Sequence, residues 1–290
     1  MNRNPVNVFP IIKSIAETAL KNQATNDGDW YDSEGFLVCG VCGERKQTIM
    51  DIADPLPDDL KHTSPLKVTR DCYCKRHQVE LEAEEKQFSR LWESSMLEEK
   101  YKEATFENYV VNQDNETNFK RCKRYAEKFE EMYKRSQGIL MYGDVGTSKS
   151  WSAVCICNYL MRHGYSCIVV SPIQILDLAA KDSQKANTVI DNMRDFKLLV
   201  IDDLGAERNT GYAAEKVYGV INDRILAKKP MIVTTNLSLE EMKEEQDMRF
   251  KRIYDRIFEA CYPLKFTGKS WRKAEAKERF DWMTSFLDED

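Results

Sequence analysis

No apolar stretch in this chain approaches the length of a membrane span, which excludes a membrane-spanning helix. A basic Arg3 lies near the start, but no continuous apolar segment follows it. The expectation is therefore a protein without a signal peptide that works in the cytoplasm. No charge of one sign dominates: 43 basic residues face 48 acidic ones, a net charge of −5. That excludes a global basic field for nucleic acid, so any DNA contact must come from a local patch or from an assembly that lines a channel with basic groups. No disulfide framework is legible, because the nine cysteines are scattered and four of them pair in a pattern that suits a metal better. Internal repeats and low-complexity tracts are absent as well. What is present is a 290-residue chain, 42% apolar and 31% charged, long enough for one large or two modest domains with a real core.

The rest of the chain is organised around Gly143-Asp144-Val145-Gly146-Thr147-Ser148-Lys149-Ser150. An apolar run, residues 138–142, precedes it and reads as a buried strand. Residues 151–160 follow and read as a helix. Strand, glycine-rich loop and helix form the setting of a phosphate-binding loop. Backbone N–H groups curl around a β-phosphate, and the helix N-terminus adds its positive end. Lys149 is placed to reach the β- and γ-phosphates, and the Ser150 hydroxyl to ligate Mg²⁺. The pattern wants glycine where this chain has Ser148. A Cβ there crowds the nucleotide side of the loop, and the backbone is expected to need a glycine-like φ.

Downstream, Lys197-Leu198-Leu199-Val200-Ile201-Asp202-Asp203-Leu204-Gly205 reads as an apolar strand with two carboxylates at its C-terminal end. Strand C-termini carry the ligand site of an open α/β sheet. Asp202 is expected to hold Mg²⁺ through its water shell and Asp203 to polarise the attacking water. Another apolar strand, Met231-Ile232-Val233-Thr234-Thr235-Asn236, ends in an amide that can orient that water. Further strands are expected at 166–171 and 262–266, and helices at 172–196 and 212–227.

Upstream, Ile11, Ile12, Ile15 and Ala19 fall on one face of a short helix starting near Pro10, which reads as a packing helix. Cys39 and Cys42 form a C-x-x-C-G knuckle, and Cys72 and Cys74 supply a second pair after a loop with Pro55, Pro57 and Pro65. Four thiolates make a closed structural Zn²⁺ site, which helps a small unit fold. His77 is an alternative fourth ligand, and His62 a weaker one. From Arg76 to Lys102 the chain reads as a solvated connecting helix with a sparse stripe of Leu81, Phe88, Leu91, Trp92 and Met96. Residues 117–135 put Phe119, Cys122, Tyr125, Ala126, Phe129 and Tyr133 on one helical face and Lys120, Arg121, Lys123 and Arg124 on the other.

With these motifs in order, residues 104 to 275 resemble the DnaC/DnaI-type replicative helicase loaders of the AAA+ ATPase superfamily, whose core the transposition ATPase IstB shares. The resemblance rests on Thr105-Phe106-Glu107-Asn108, the Gly143–Ser150 loop, Ile201-Asp202-Asp203-Leu204-Gly205, Thr234-Thr235-Asn236-Leu237, Arg252-Ile253-Tyr254-Asp255-Arg256-Ile257 and Gly268-Lys269-Ser270-Trp271-Arg272. It implies an α/β fold: a five-stranded parallel sheet in the order 5-1-4-3-2, flanked by helices, over residues 104–290. A helical, zinc-binding and helicase-interacting domain over 1–103 precedes it. It implies ATP on Gly143, Asp144, Val145, Gly146, Thr147, Ser148, Lys149, Ser150 and Trp151. Asn236 takes the sensor-1 position, Arg256 the arginine finger acting on a neighbouring subunit's ATP, with Arg252 one turn away, and Arg272 the sensor-2 position. A replicative hexameric helicase, single-stranded DNA and self-assembly are the implied partners. Two alternatives remain: a non-hydrolysing adaptor of the replication machinery, favoured by Ser148, and an IstB-like transposition ATPase, which the zinc knuckle disfavours.

Overall fold

The computed structural model describes residues 9–23, 25–50, 66–180, 190, 192–205, 211–268 and 270–288. The chain divides into two compact units, Met1–Glu84 and Glu85–Asp290. The loop with Pro55, Pro57, His62 and Pro65 lies outside the described residues. Among the described residues no helix is long and apolar enough to cross a membrane.

The first unit holds helix α1 (Phe9–Lys21) and two antiparallel hairpins, β1 (Trp30–Tyr31) with β2 (Leu37–Val38) and β3 (Gln47–Met50) with β4 (Leu66–Thr69). Asp32 closes the first hairpin by accepting from the N–H groups of Glu34 at 3.0 Å and Phe36 at 2.9 Å. The expected packing face of α1 is not the buried one. Ile11, Ile12 and Ile15 are exposed, and Ala16 is buried. A small side chain lets the helix backbone come close to β4, while Ile12, one turn earlier on the same face, and Ile11 and Ile15 beside it stay exposed.

Helix α2 (Tyr73–Ser94) spans the division between the units. It is shorter and less solvated than its charge suggests. Phe88 and Trp92 are buried in the apolar core of the second unit, and Met96, at φ 61°, lies beyond the helix end. Two large aromatic side chains outweigh the many exposed Glu and Lys residues, because burial scales with apolar area.

The second unit is built on α3 (Glu116–Glu127), α4 (Phe129–Lys134), β5 (Gly138–Gly143), α5 (Lys149–Arg162), β6 (Cys167–Val170), α6 (Pro172–Ala180), β7 (Leu198–Leu204), α7 (Gly211–Leu226), β8 (Met231–Thr235), α8 (Leu239–Glu244), α9 (Met248–Ala260), β9 (Cys261–Phe266) and α10 (Trp271–Leu287). The helix expected over 172–196 is described only to Ala180; residues 181–189 and 191 lie outside the described residues. Five strands form one parallel sheet in the order β6-β7-β8-β5-β9. Counted from the phosphate-loop strand, that is the expected 5-1-4-3-2.

The strands alternate between two apolar layers, as a sheet covered on both faces requires. Ile139, Met141, Leu198 and Val200 pack with Phe106, Tyr125, Phe129 and the α5 residues Val154, Cys157 and Met161. Leu140, Leu199 and Ile201 pack with Ile175, Val217, Ile221, Phe250, Ile253 and Ile257.

One charge is buried in this second layer. Arg224 is fully buried, and its guanidinium donates to the carbonyls of Arg194, Phe196, Lys197 and Pro230 at 2.6 to 3.1 Å. Burial lowers its pKa to about 10, still charged at neutral pH. It ties the end of α7 to the chain entering β7 and β8. Arg224→Met keeps the stem and removes every donor. We expect it to cost about 3 kcal/mol of stability, read as a lower denaturation midpoint with an unchanged slope.

Candidate nucleotide site and cysteine cluster

Strand β5 runs buried as far as Met141 and opens into the loop, and α5 starts at Lys149. The first backbone N–H groups of a helix have no partner within it and form a ready anion site. Three loop positions take positive φ: Gly143 at 127°, Gly146 at 80° and Ser148 at 67°. A Cβ on Gly146 would lie 2.1 Å from Ser270 Oγ and 3.0 Å from Ser270 Cβ, so a side chain there would have to push Ser270 aside. Ser148 has ψ 20°, squarely left-handed. The glycine-like φ expected at this position is what the chain adopts, at a cost of roughly 1–2 kcal/mol for a residue with a Cβ. Lys149 is buried and donates to the carbonyls of Gly143 and Asp144 at 2.7 Å each and to Asn236 Oδ1 at 2.9 Å. Thr147 Oγ1 donates to Asp144 O at 2.7 Å and braces the same turn.

The carboxylates arrive from the end of β7, where the register against β8 slips between Ile201 and Leu204 and Asp203 adopts φ 60°. The slip turns both acids out of the sheet. Thr234 Oγ1 donates to Asp202 Oδ1 at 2.6 Å and accepts from Asp203 N at 2.9 Å. Asn236 Nδ2 donates to Asp203 Oδ1 at 2.9 Å. Asn236 therefore bridges Lys149 and Asp203.

These groups line one cleft of about 430 Å³, together with Val145, Gly146, Ser148, Ser150 and Trp151. Gly143, Asp144 and Thr147 shape the loop from behind. The sequence reading missed Thr234 as a site residue, although a hydroxyl in an otherwise apolar buried strand needs a polar partner. It also missed the opposite wall, formed by Tyr101, Asn108, Tyr109 and Val110. The Tyr101 ring lies tilted 6.3 Å from that of Trp151.

Arg256 does not line this cleft. It projects from α9, pairs with Glu259 at 2.8 Å and hydrogen-bonds Tyr218, while the guanidinium of Arg252 lies 4.6 Å over the Tyr218 ring. The two arginines hold the Tyr218 phenol below its usual range. Arg272 is the second residue of α10, but its side chain lies outside those described, as does Lys269 of the same motif. On α3, Lys120 and Arg124 are exposed, and Lys120 pairs with Glu116 at 2.6 Å.

In the first unit the sulfurs of Cys39, Cys42, Cys72 and Cys74 all lie within 4.8 Å of one another. Zn–S bonds of about 2.3 Å at tetrahedral angles put sulfurs about 3.8 Å apart, so this donor set fits Zn²⁺ with little closure. The knuckle turn is set by Cys39 N donating to Glu44 O and Gly43 N to Cys39 O, both at 2.9 Å. Backbone N–H groups of Cys74 and Glu44 hold the Cys42 thiol down at about 6. Cys74, which shares a hydrogen bond with Cys42, is pushed up to about 11. Burial raises Cys72. Outside the sulfurs, the Glu44 carboxylate accepts from Arg70, Arg76 and the Tyr73 N–H, joining the two halves of the cluster. His77 stacks on Tyr73 at 5.7 Å and is not part of the cluster.

A profile of the family described as "IstB-like ATP binding protein" matches residues 73–279. The Escherichia coli (strain K12) protein named "Replicative helicase loader DnaC" is 24% identical over 184 residues, 62% of this chain and 73% of that protein. The Bacillus subtilis (strain 168) protein named "Replicative helicase loader DnaI" is 25% identical over 217 residues, 70% of this chain and 68% of that one. Among solved structures, "Crystal Structure of the DnaI" superposes with a TM-score of 0.50 at 23% identity, over 61% of this chain and 94% of that one, a likeness of fold.

Proposed function

The chain belongs to the family of IstB-like ATP binding proteins, and on that premise we propose that it is an ATP-dependent loader that delivers a replicative hexameric helicase to single-stranded DNA in the cytoplasm. One observation carries this reading. Lys149, Asn236 and Asp203 are linked by consecutive hydrogen bonds inside one cleft, in a chain whose relatives include proteins named replicative helicase loaders.

In this reading the phosphates of ATP lie on the loop N–H groups and the N-terminus of α5, with Lys149 on the β- and γ-oxygens. Ser150 and Asp202 would hold Mg²⁺, which neutralises phosphate charge when bound. Asp203 takes the proton of the attacking water, and Asn236 fixes the orientation of Asp203 and of that water. Arg256, outside its own cleft, reaches the nucleotide of a neighbouring subunit, and Arg272 contacts phosphate within its own. The trans role of Arg256 requires self-assembly. The four cysteines hold a structural Zn²⁺, and the unit they staple grips the helicase. Exposed basic groups of α3, Lys120 and Arg124 among them, contribute a weak, salt-dependent contact to single-stranded DNA.

Mixing two disabled variants tests the assignment of Arg256. Lys149→Ala removes the phosphate lysine but keeps the arginine; Arg256→Ala does the reverse. Each alone should be inert in ATP hydrolysis with helicase present. Their mixture should regain activity, because one subunit lends its arginine to the nucleotide held by the other. Two variants that co-assemble without regaining hydrolysis would remove the trans role.

A further inference from the structure

The phosphate loop of this chain asks a serine to hold a conformation that favours glycine. Ser148 sits at φ 67° and ψ 20°, and something must keep it there. Its carbonyl accepts two hydrogen bonds from one residue, Ser152 N and Ser152 Oγ, both at 2.9 Å. Ser152 lies one turn along α5 and is fully buried. The Tyr109 hydroxyl lies 2.9 Å from Ser152 Oγ. A serine hydroxyl has one proton, and here it is committed to Ser148 O. With that proton on Ser148 O, the tyrosine donates the second bond, and its hydroxyl also interacts with the Ser148 side chain itself. The chain of donors runs from Tyr109 to Ser152 to the carbonyl of Ser148.

We propose that Tyr109 is a positioning residue for the phosphate-binding loop, holding the left-handed peptide at Ser148 through the Ser152 hydroxyl. The proposal deepens the nucleotide reading of the cleft and rests on it. Tyr109 is itself well anchored: it is buried, and its ring lies tilted 5.1 Å from Phe119 on α3. Burial pushes its phenol up to about 12, so it remains a donor across the working pH range. Tyr109 also lines the same cleft as Ser148. Consecutive donors polarise one another, so the first bond strengthens the second. Glycine has no Cβ to disfavour positive φ and needs no such restraint. The role of Tyr109 is therefore conditional on the residue at position 148.

A double-mutant cycle on the full chain reads that condition directly. Tyr109→Phe, Ser148→Gly and the double variant are compared with the native chain by thermal melting and by titration with a fluorescent Mg²⁺-ATP analogue. In the native loop Tyr109→Phe should weaken analogue binding about five- to tenfold, the worth of one well-placed hydrogen bond. In the Ser148→Gly background the same change should weaken it less than about twofold. The fall in melting temperature should follow the same pattern. Ser152→Ala, which breaks the relay and leaves Tyr109 in place, should reproduce both losses. Equal losses in the two backgrounds would reduce Tyr109 to an ordinary packing residue and overturn the proposal. If no variant bound the analogue, the nucleotide reading of the cleft would fall, and the melting cycle alone would still decide the coupling.

Discussion

Replacing Cys39 by serine, or stripping metal with a strong chelator, should unfold the first unit and leave the second folded. The buried apolar residues described in the first unit are few: Ala16, Phe36, Leu37, Val38 and Leu66, with Cys39 and Cys72 themselves. A core of that size does not offset the conformational entropy of so many ordered residues without a staple. A four-thiolate Zn²⁺ site contributes on the order of 10–16 kcal/mol of folding free energy at neutral pH. Nothing else among the described residues of the unit is comparable. Surface ion pairs such as Arg45 with Asp32, at 2.6 Å, are screened by solvent and contribute little beside that site. Elemental analysis should return one zinc per chain for the native protein and none for Cys39→Ser. Backbone amide spectra should show the loss of ordered signals confined to the first unit. A metal-free chain whose first unit stayed ordered would show that the four sulfurs are bystanders.

The second large effect belongs to Lys149→Ala, which should lower Mg²⁺-ATP affinity by about 100-fold or more and abolish hydrolysis. A preorganised charged donor in a dry cleft contributes about 3–4 kcal/mol toward phosphate oxygens. This lysine is also the hub of the site, bonded to both carbonyls at the start of the loop and to Asn236. Its removal therefore frees Asn236, which orients Asp203. Binding should be measured by calorimetry, with melting temperature as the control for folding. Undiminished affinity would place the nucleotide, if any, elsewhere.

Much of this was legible because it is local. Short apolar runs place the strands of the sheet, and positions fixed by a motif place Lys149, Asp202, Asp203 and Asn236 at the ends of their strands and helix. Even the strain at Ser148 follows from one residue in the wrong place for its loop. What escaped depends on contacts distant in sequence. Tyr109 acts on a loop some forty residues later, through Ser152. Phe88 and Trp92 sit in a helix whose composition is that of solvated surface, and their burial is decided by the core they meet. The isoleucines of α1 have the right spacing for a packing face, but close approach to a strand selected Ala16 instead. Periodicity says which residues share a face; it does not say which face finds a partner.

Delivery of the helicase tests the central claim most directly. Hexameric replicative helicase retained on circular single-stranded DNA would be counted with no added chain, with the native chain, and with Lys149→Ala, each with and without ATP. The account predicts that the native chain raises the count only when ATP is present and that Lys149→Ala does not raise it at all. A native chain without effect would contradict the loader function. Equal delivery by Lys149→Ala would contradict the switch and leave an adaptor that works without turning over nucleotide.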